Sequence, residues 1–299
     1  MKRLILGTRG SALALAQAEL TRAALHKAWP ELQIEQQTFV TRGDKKLDLD
    51  LMREPAGGKG LFTKELEDAL LAGSIDVAVH SLKDLPGHNP SGLEVSAVLE
   101  RAPTADVLIT KGVCRFEDLP TGARLGTSSV RRSRQLRWLR PDLAIEQWRG
   151  NVPTRLRKFV ERDDVAGIIL AQAGLERLGI DFADGKLTAV SLRDHLLPAI
   201  GQGAIGLQAR ANRPEVGSVL AAINHATTFT CIRAERALQR LLAGDCAMPV
   251  GVRTRLDADA LEMSAILFGN EGAAPAQAEF TGPADDPEFV AGELFSRLT

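Results

Sequence analysis

Two short runs set the fold of this chain. Ile75-Asp76-Val77-Ala78-Val79 and Gly167-Ile168-Ile169-Leu170-Ala171 are almost wholly apolar. Such runs read as strands covered on both faces, which requires helices above and below the sheet. The surrounding sequence supplies them. Residues 4–8 predict a buried first strand, and Ser11 can cap a helix over 12–27 that stops before Trp29-Pro30. Residues 32–40 are strand-like, and 61–71 are amphipathic and helical, closed by Gly73. From about Pro103 the order repeats. Residues 123–126 lead into Thr127-Ser128-Ser129, a helix runs to Pro141, and 143–148 form a strand. The chain turns at Arg149-Gly150-Asn151, a helix covers 154–161, and 167–171 feed a last helix through Arg177-Leu178-Gly179. Strands and helices in alternation predict doubly wound α/β units, with ligands outside the carboxyl ends of the strands.

At 299 residues the chain is too long for one small core. The expected units are 1–99 rejoined by 200–217, then 103–195, then 221–299, with Pro198-Ala199-Ile200-Gly201-Gln202-Gly203 as a crossover. The third unit opens with a helix-rich stretch leading to Cys246. Alternating strands at 250–256 and 261–268 then make it a small α+β domain. The basic and then apolar start is broken at once by Thr8-Arg9-Gly10-Ser11, so it reads as a strand and not as a signal peptide. No apolar run is long enough to span a bilayer, and the expected address is the cytoplasm.

Cys114, Cys231 and Cys246 are too few and too far apart for a disulfide framework or a CxxC metal pair, and the five histidines are scattered. No metal site is expected. Net charge is −1, which argues against a globally basic nucleic-acid binder, but the charge is uneven. Arg124, Arg131, Arg132, Arg134, Arg137, Arg140, Arg149, Arg155, Arg157 and Lys158 lie between Gly122 and Lys158, against only Asp142 and Glu146. Arg131 and Arg132 fall in the first turn of a helix, where the dipole prefers acids, so an anionic ligand would explain them. Arg134, Arg137 and Arg140 read as a solvated face. Arg9 with Ser11, and Arg149 with Arg155, mark two more strand-end turns. Guanidiniums at successive strand ends would line one cleft for a ligand with several carboxylates or phosphates. Lys83-Asp84 follows the strand at 75–79. Asp84 is either a turn former before Pro86 or a carboxylate that steadies a cation, and spacing alone leaves the two even.

Eight segments resemble the porphobilinogen deaminase family, in its order. They are Arg9-Gly10-Ser11-Ala12-Leu13-Ala14, Val40-Thr41-Arg42-Gly43-Asp44, Gly57-Gly58-Lys59-Gly60-Leu61-Phe62 and His80-Ser81-Leu82-Lys83-Asp84-Leu85-Pro86. Further along stand Gly126-Thr127-Ser128-Ser129-Val130-Arg131-Arg132, Arg149-Gly150-Asn151-Val152, Pro198-Ala199-Ile200-Gly201-Gln202-Gly203 and Gly244-Asp245-Cys246-Ala247-Met248-Pro249-Val250-Gly251. Asp245 and Met248 depart from the family's small and β-branched residues, and an acidic neighbour raises a thiol's pKa.

The resemblance implies two lobes like those of periplasmic binding proteins and a small third domain, acting as a monomer without metal, membrane or nucleic acid. It implies a dipyrromethane cofactor held through a thioether to Cys246. It also implies stepwise condensation of four porphobilinogens into hydroxymethylbilane, with ammonia lost at each step and water releasing the product. Asp84 matches the catalytic aspartate. Ser81, Lys83, Thr127, Ser129, Arg131 and Arg132 match cofactor contacts, and Arg9, Ser11, Arg149, Arg155 and Arg177 match substrate contacts. Lys59 and Phe62 would close over the site. Two other readings fit some of the residues: a non-catalytic two-lobed binder of a polyanionic small molecule, and an RNA binder. Neither has a use for Cys246, and 4% aromatics with no tyrosine gives RNA little to stack on.

Overall fold

The computed structural model describes residues 1–41, 62–242, 249–270 and 272–299. In chain order its elements are β1 (Arg3–Arg9), α1 (Ala12–Ala28), β2 (Gln33–Phe39), α2 (Lys64–Ala72), β3 (Val77–Ser81) and β4 (Leu93–Val98). Next come β5 (Asp106–Thr110), β6 (Arg124–Gly126), α3 (Val130–Leu139), β7 (Ala144–Glu146), α4 (Val152–Val160), β8 (Gly167–Ala171), α5 (Gln172–Arg177) and β9 (Thr188–Ser191). The chain ends with β10 (Ile205–Arg210), α6 (Pro214–Ala221), α7 (Ala226–Leu241), β11 (Val250–Asp257), β12 (Ala260–Leu267), β13 (Ala276–Pro283) and α8 (Pro287–Leu298).

The strands make two five-stranded sheets, β2-β1-β3-β10-β4 and β7-β6-β8-β5-β9, and a three-stranded sheet β11-β12-β13. The apolar runs behave as their composition requires. Val77 and Val79 of β3 pack into one cluster with Leu4, Leu6 and Leu207, while Ala78 packs into another with Leu66, Leu70 and Ile75. Ile169 of β8 faces one core, and Ile168 and Leu170 the other. Burying each such side chain contributes about 1.5–3 kcal/mol. That is why short strands with no polar face are stable only at the centre of a layered sheet.

The α/β expectation stands, with one addition in each large sheet. β1, β2 and β3 are parallel, but β10 runs antiparallel between β3 and β4. Likewise β6, β7 and β8 are parallel, and β5 runs antiparallel between β8 and β9. The reason is connectivity. β5 enters the second lobe directly from the first, and β10 returns from the second lobe to the first, so each arrives from the opposite end.

The two connecting segments, 99–105 and 198–204, touch. Ala102 N donates to Gly203 O at 3.1 Å. Gly203 has φ +84, and a Cβ there would lie 2.3 Å from Ala102 O, so only glycine allows this approach. The third unit is anchored at the same place. Glu235 of α7 is fully buried and pairs with Arg101 at 2.6 Å, and it also accepts from Gly201 N at 2.7 Å. Arg101 Nε donates to Gln202 O at 2.9 Å, and Val252 N to Pro198 O at 2.8 Å.

The strand β13 and helix α8 lie beyond the strands expected from the sequence, the last of which ends near Phe268. Their signals are local: Asp286 caps α8 by accepting from Phe289 N at 3.0 Å, with Pro287 in the first turn. Among the described residues no helix is long and apolar enough to cross a membrane.

Candidate functional site

Helix capping places the first side chains. Ser11 Oγ accepts from Ala14 N at 3.3 Å and starts α1 directly after Arg9, the last residue of β1. Ser129 Oγ accepts from Arg132 N at 3.4 Å and starts α3 just after β6, while Thr127 Oγ1 accepts from Ser129 N at 3.2 Å. Asn151 caps α4 after β7, its side chain accepting from Thr154 N at 2.9 Å. Past β3 the chain makes one turn of 3-10 helix, Leu82–Asp84, which carries Lys83 and Asp84 beyond the sheet edge. All of these turns lie at carboxyl ends of parallel strands.

On the first lobe, Arg9, Ser11, Gln17, Phe62, His80, Ser81 and Asp84 line one cleft. The Arg9 guanidinium lies over the Phe62 ring, 4.3 Å from its centroid. Gln17 Nε2 donates to Ser81 Oγ at 2.8 Å. His80 is buried against Gln208 at 3.1 Å, and burial pushes its pKa down to about 4, so its imidazole is neutral at ordinary pH. Gln17 and His80 were absent from the sequence-predicted set. Gln17 sits two turns into α1 and on spacing alone looks like any polar helix residue.

The second lobe supplies cations. Arg155 donates through Nε to Gly150 O at 2.6 Å, and burial, with Arg132 next in weight, pushes its pKa down to about 10. Lys83 from the first lobe is pushed down to about 8 by burial first and then by Arg132, with Asp84 and Asp106 acting the other way. Arg177 Nη2 donates to Gly203 O at 2.6 Å, so this side chain reaches back to the second connecting segment. Arg131 and Arg132 are buried, and both engage Asp106, a carboxylate that sequence reasoning missed. Arg131 also donates to Leu197 O at 2.6 Å, and its Nε is buried with no hydrogen-bond partner. Arg140, read as solvated, pairs with Asp142 at 2.8 Å on the surface. Cys246, in the matching loop, and Lys59 lie outside the described residues.

Where the lobes meet, Lys83 feels Arg131 and Arg132 on one side of the balance and Asp84 and Asp106 on the other, and Arg155 feels Arg132, Arg149 and Asp84. Both Lys83 and Arg155 are held below their ordinary pKa, and one arginine N–H is buried without a partner. A buried cluster in that condition is completed by an anionic ligand. Residues 4–218 match the model described as porphobilinogen deaminase, dipyromethane cofactor binding domain, and 229–298 match porphobilinogen deaminase, C-terminal domain.

The chain belongs to the porphobilinogen deaminase family.

The porphobilinogen deaminase of Bordetella bronchiseptica is 43% identical over 297 residues, covering 99% of this chain and 92% of that one. That of Moorella thermoacetica is 44% identical over 299 residues, covering 100% and 93%. Among solved structures, the periplasmic aliphatic sulphonate binding protein SsuA from Escherichia coli aligns with a TM-score of 0.43 at 17% identity, over 81% of this chain and 71% of that one. The residues that match the dipyrromethane domain of the deaminase family carry the two five-stranded sheets and the cleft edges described above. A dipyrromethane built from porphobilinogen carries acetate and propionate groups, and these suit the depressed Lys83 and Arg155 and the unpartnered Arg131 Nε.

Proposed function

We propose that this chain condenses porphobilinogen into the linear tetrapyrrole hydroxymethylbilane on a dipyrromethane primer held by Cys246, acting as a monomer in the cytoplasm. The observation that carries this reading is the meeting of Asp84 and Lys83 of one lobe with the buried arginines of the other. When bound, the primer supplies a nucleophilic pyrrole carbon from which the product grows. Lys83, Arg131, Arg132 and Arg155, with Ser81, Thr127 and Ser129, would hold its carboxylates and fix its place. Arg9, Ser11, Arg149 and Arg177 would take the carboxylates of incoming porphobilinogen, with Phe62 and Lys59 covering the cleft.

Asp84 is the carboxylate on the first-lobe wall, and Arg155 feels its charge from the other lobe. Loss of ammonia from an aminomethylpyrrole leaves positive charge on the ring, and the N–H of that ring is a donor. Asp84 would accept that N–H and stabilise the charge as it forms, where a fixed anion lowers the barrier most. The neutral His80 cannot serve as an acid there, so proton movement falls to Asp84 or to water. The free thiols of Cys114 and Cys231 suit a reducing compartment.

Intact-mass measurement and ammonia release test the reading together. The purified chain should carry a covalent mass increment of two linked pyrroles and release ammonia from porphobilinogen. Cys246→Ser should lose both, while Cys114→Ala and Cys231→Ala keep them. Binding of porphobilinogen without an adduct or ammonia would return the chain to the class of binding proteins.

A further inference from the structure

Behind the cationic wall of the cleft lies a carboxylate to which the proposed reaction gives no part. Asp106 opens β5, and its side chain is wholly buried. Its Oδ1 accepts from Arg132 Nε at 3.1 Å and Nη2 at 2.7 Å, and from Gln202 Nε2 at 2.8 Å. Its Oδ2 lies 2.8 Å from Arg131 Nη1. One carboxylate therefore bears two guanidiniums. A buried ion pair in which one anion serves two cations leaves a net positive charge, which is costly unless something else meets it.

Gln202, on the segment that returns to the first lobe, is 1% exposed. Its Nε2 also donates to Thr104 O at 2.7 Å, and its Oε1 accepts from Lys83 Nζ at 3.5 Å. The two ends of one buried amide thus contact the ion triad of the second lobe and the lysine of the first. A carboxylate on one edge of a guanidinium fixes the plane of the whole fork. Arg132 Nη1 is held as well, donating to Ile169 O at 2.8 Å.

We propose that Asp106, with Gln202 as its relay, is the positioning pair of the binding cleft. It sets the guanidinium plane of Arg132, stands in ion contact with Arg131 and ties both to Lys83, so that three cations from two lobes meet an anionic ligand as one preset unit. The inference rests on the reading of those three cations as holders of the primer. Asp106 and Gln202 touch neither primer nor substrate in this role. A purely structural Asp106 would neutralise two arginines and need no link to Lys83.

The charged groups acting on Lys83 are Asp84 on its own turn, Asp106 of β5, and Arg131 and Arg132 of α3. Asp106 and the Gln202 oxygen favour the ammonium, and the arginines oppose it. A primer held out of place presents a poorer seat to the incoming substrate, so the test is the pH dependence of KM for porphobilinogen, between about pH 7 and 10.5, on protein whose adduct has been checked by mass. In the wild type KM should climb as pH passes the value at which Lys83 loses its charge, about 8 in the chain alone and higher with the primer's carboxylates against it. Gln202→Met keeps the ion triad but removes the relay. It should raise KM by about tenfold or more, the scale on which loss of an outer-sphere partner is felt. It should also move the climb downward by about half a pH unit.

Asp106→Asn should move it the same way, and Gln202→Met carries the test if that variant does not fold. A uniform rise in KM with the climb unmoved, an unchanged KM, or a wild-type profile with no climb would each overturn the proposal. Arg131→Leu separates the two levels. If it keeps a full adduct and normal KM, the site reading itself fails. If it loses them while Gln202→Met behaves as wild type, only the positioning role fails.

Discussion

The two large lobes share a scaffold and differ in the charged side chains they carry at its edge. Their sheets have the same order, three parallel strands and then an antiparallel one, and both start a helix with a serine cap after the corresponding strand, Ser11 after β1 and Ser129 after β6. The first helical turns after these caps differ. The first lobe has Ala12-Leu13-Ala14, an apolar turn. The second has Val130-Arg131-Arg132, with both guanidiniums turned inward onto Asp106. After the third parallel strand, the first lobe places Asp84 and the second Arg177. The backbone amides at both helix starts favour anions equally. It is the side chains that would make one wall the source of a fixed negative charge and the other a holder of carboxylates, on the function proposed above.

That contrast is broken most severely at Asp84. Asp84→Asn removes the negative group and keeps a good turn residue, so the protein should fold as judged by circular dichroism. Ammonia release should fall by about a hundredfold or more, the scale of deleting one preset electrostatic group. Asp84→Glu, which displaces the charge without removing it, should retain more activity than Asn. Near-normal turnover in Asp84→Asn would leave the first lobe with only a turn former.

On the second lobe the expected loss is of assembly and stability. Arg132→Leu takes hydrogen bonds from two buried acceptors, Asp106 Oδ1 and Ile169 O, and leaving such groups short costs about 1–3 kcal/mol. Urea unfolding should show that loss, and intact mass should show a reduced adduct. Arg137→Leu, on the exposed face of α3, should change neither. Equal effects from both substitutions would mean that the arginines of α3 act through general stability.

The smallest effect sharpens the comparison through Lys83, the first-lobe cation held at about 8. Proton counting gives the sign. Below about pH 8 the ammonium is charged in both folded and unfolded chains, and burial makes the folded form bear the cost. Between about 8 and the ordinary lysine value the unfolded chain binds more protons, so stability rises with pH. In the cofactor-free Cys246→Ser background, Lys83→Met should therefore raise Tm at neutral pH by about 2–4 °C and flatten that rise. A Tm that falls instead would mean that Lys83 is satisfied without a ligand.

Much of the scaffold was readable because its signals are local. The helix starts at Ser11 and Ser129, the stop at Gly73 with φ +74, and the strand over Gly167–Ala171 depend on neighbours within four residues, whereas the helix expected from Thr154 starts two residues earlier, capped by Asn151. The clustering of Arg131, Arg132 and Lys83 was suggested by charge pattern and by family motifs. Asp106 was not legible. Its partners lie 26 and 96 residues away, and in sequence it is one more acid at the head of an apolar run. Gln202 stood inside a motif, but its role depends on two segments crossing, which no single segment encodes. The antiparallel β5 and β10 were hidden for the same reason, since a buried strand has the same composition whichever way it runs.

The return of β10 to the first sheet also sets an order of events during synthesis. Every strand of the second sheet lies between Asp106 and Ser191, so that lobe has all its parts once those residues have emerged. The first sheet does not. Until Ile205–Arg210 is made, β3 and β4 have an empty place between them, and the apolar side chains that Leu207 and Ile205 will cover are open to water. The lobe that begins the chain is therefore the later of the two to close its sheet. A nascent chain stalled near residue 200 would expose a sticky strand edge, the kind of surface that chaperones bind.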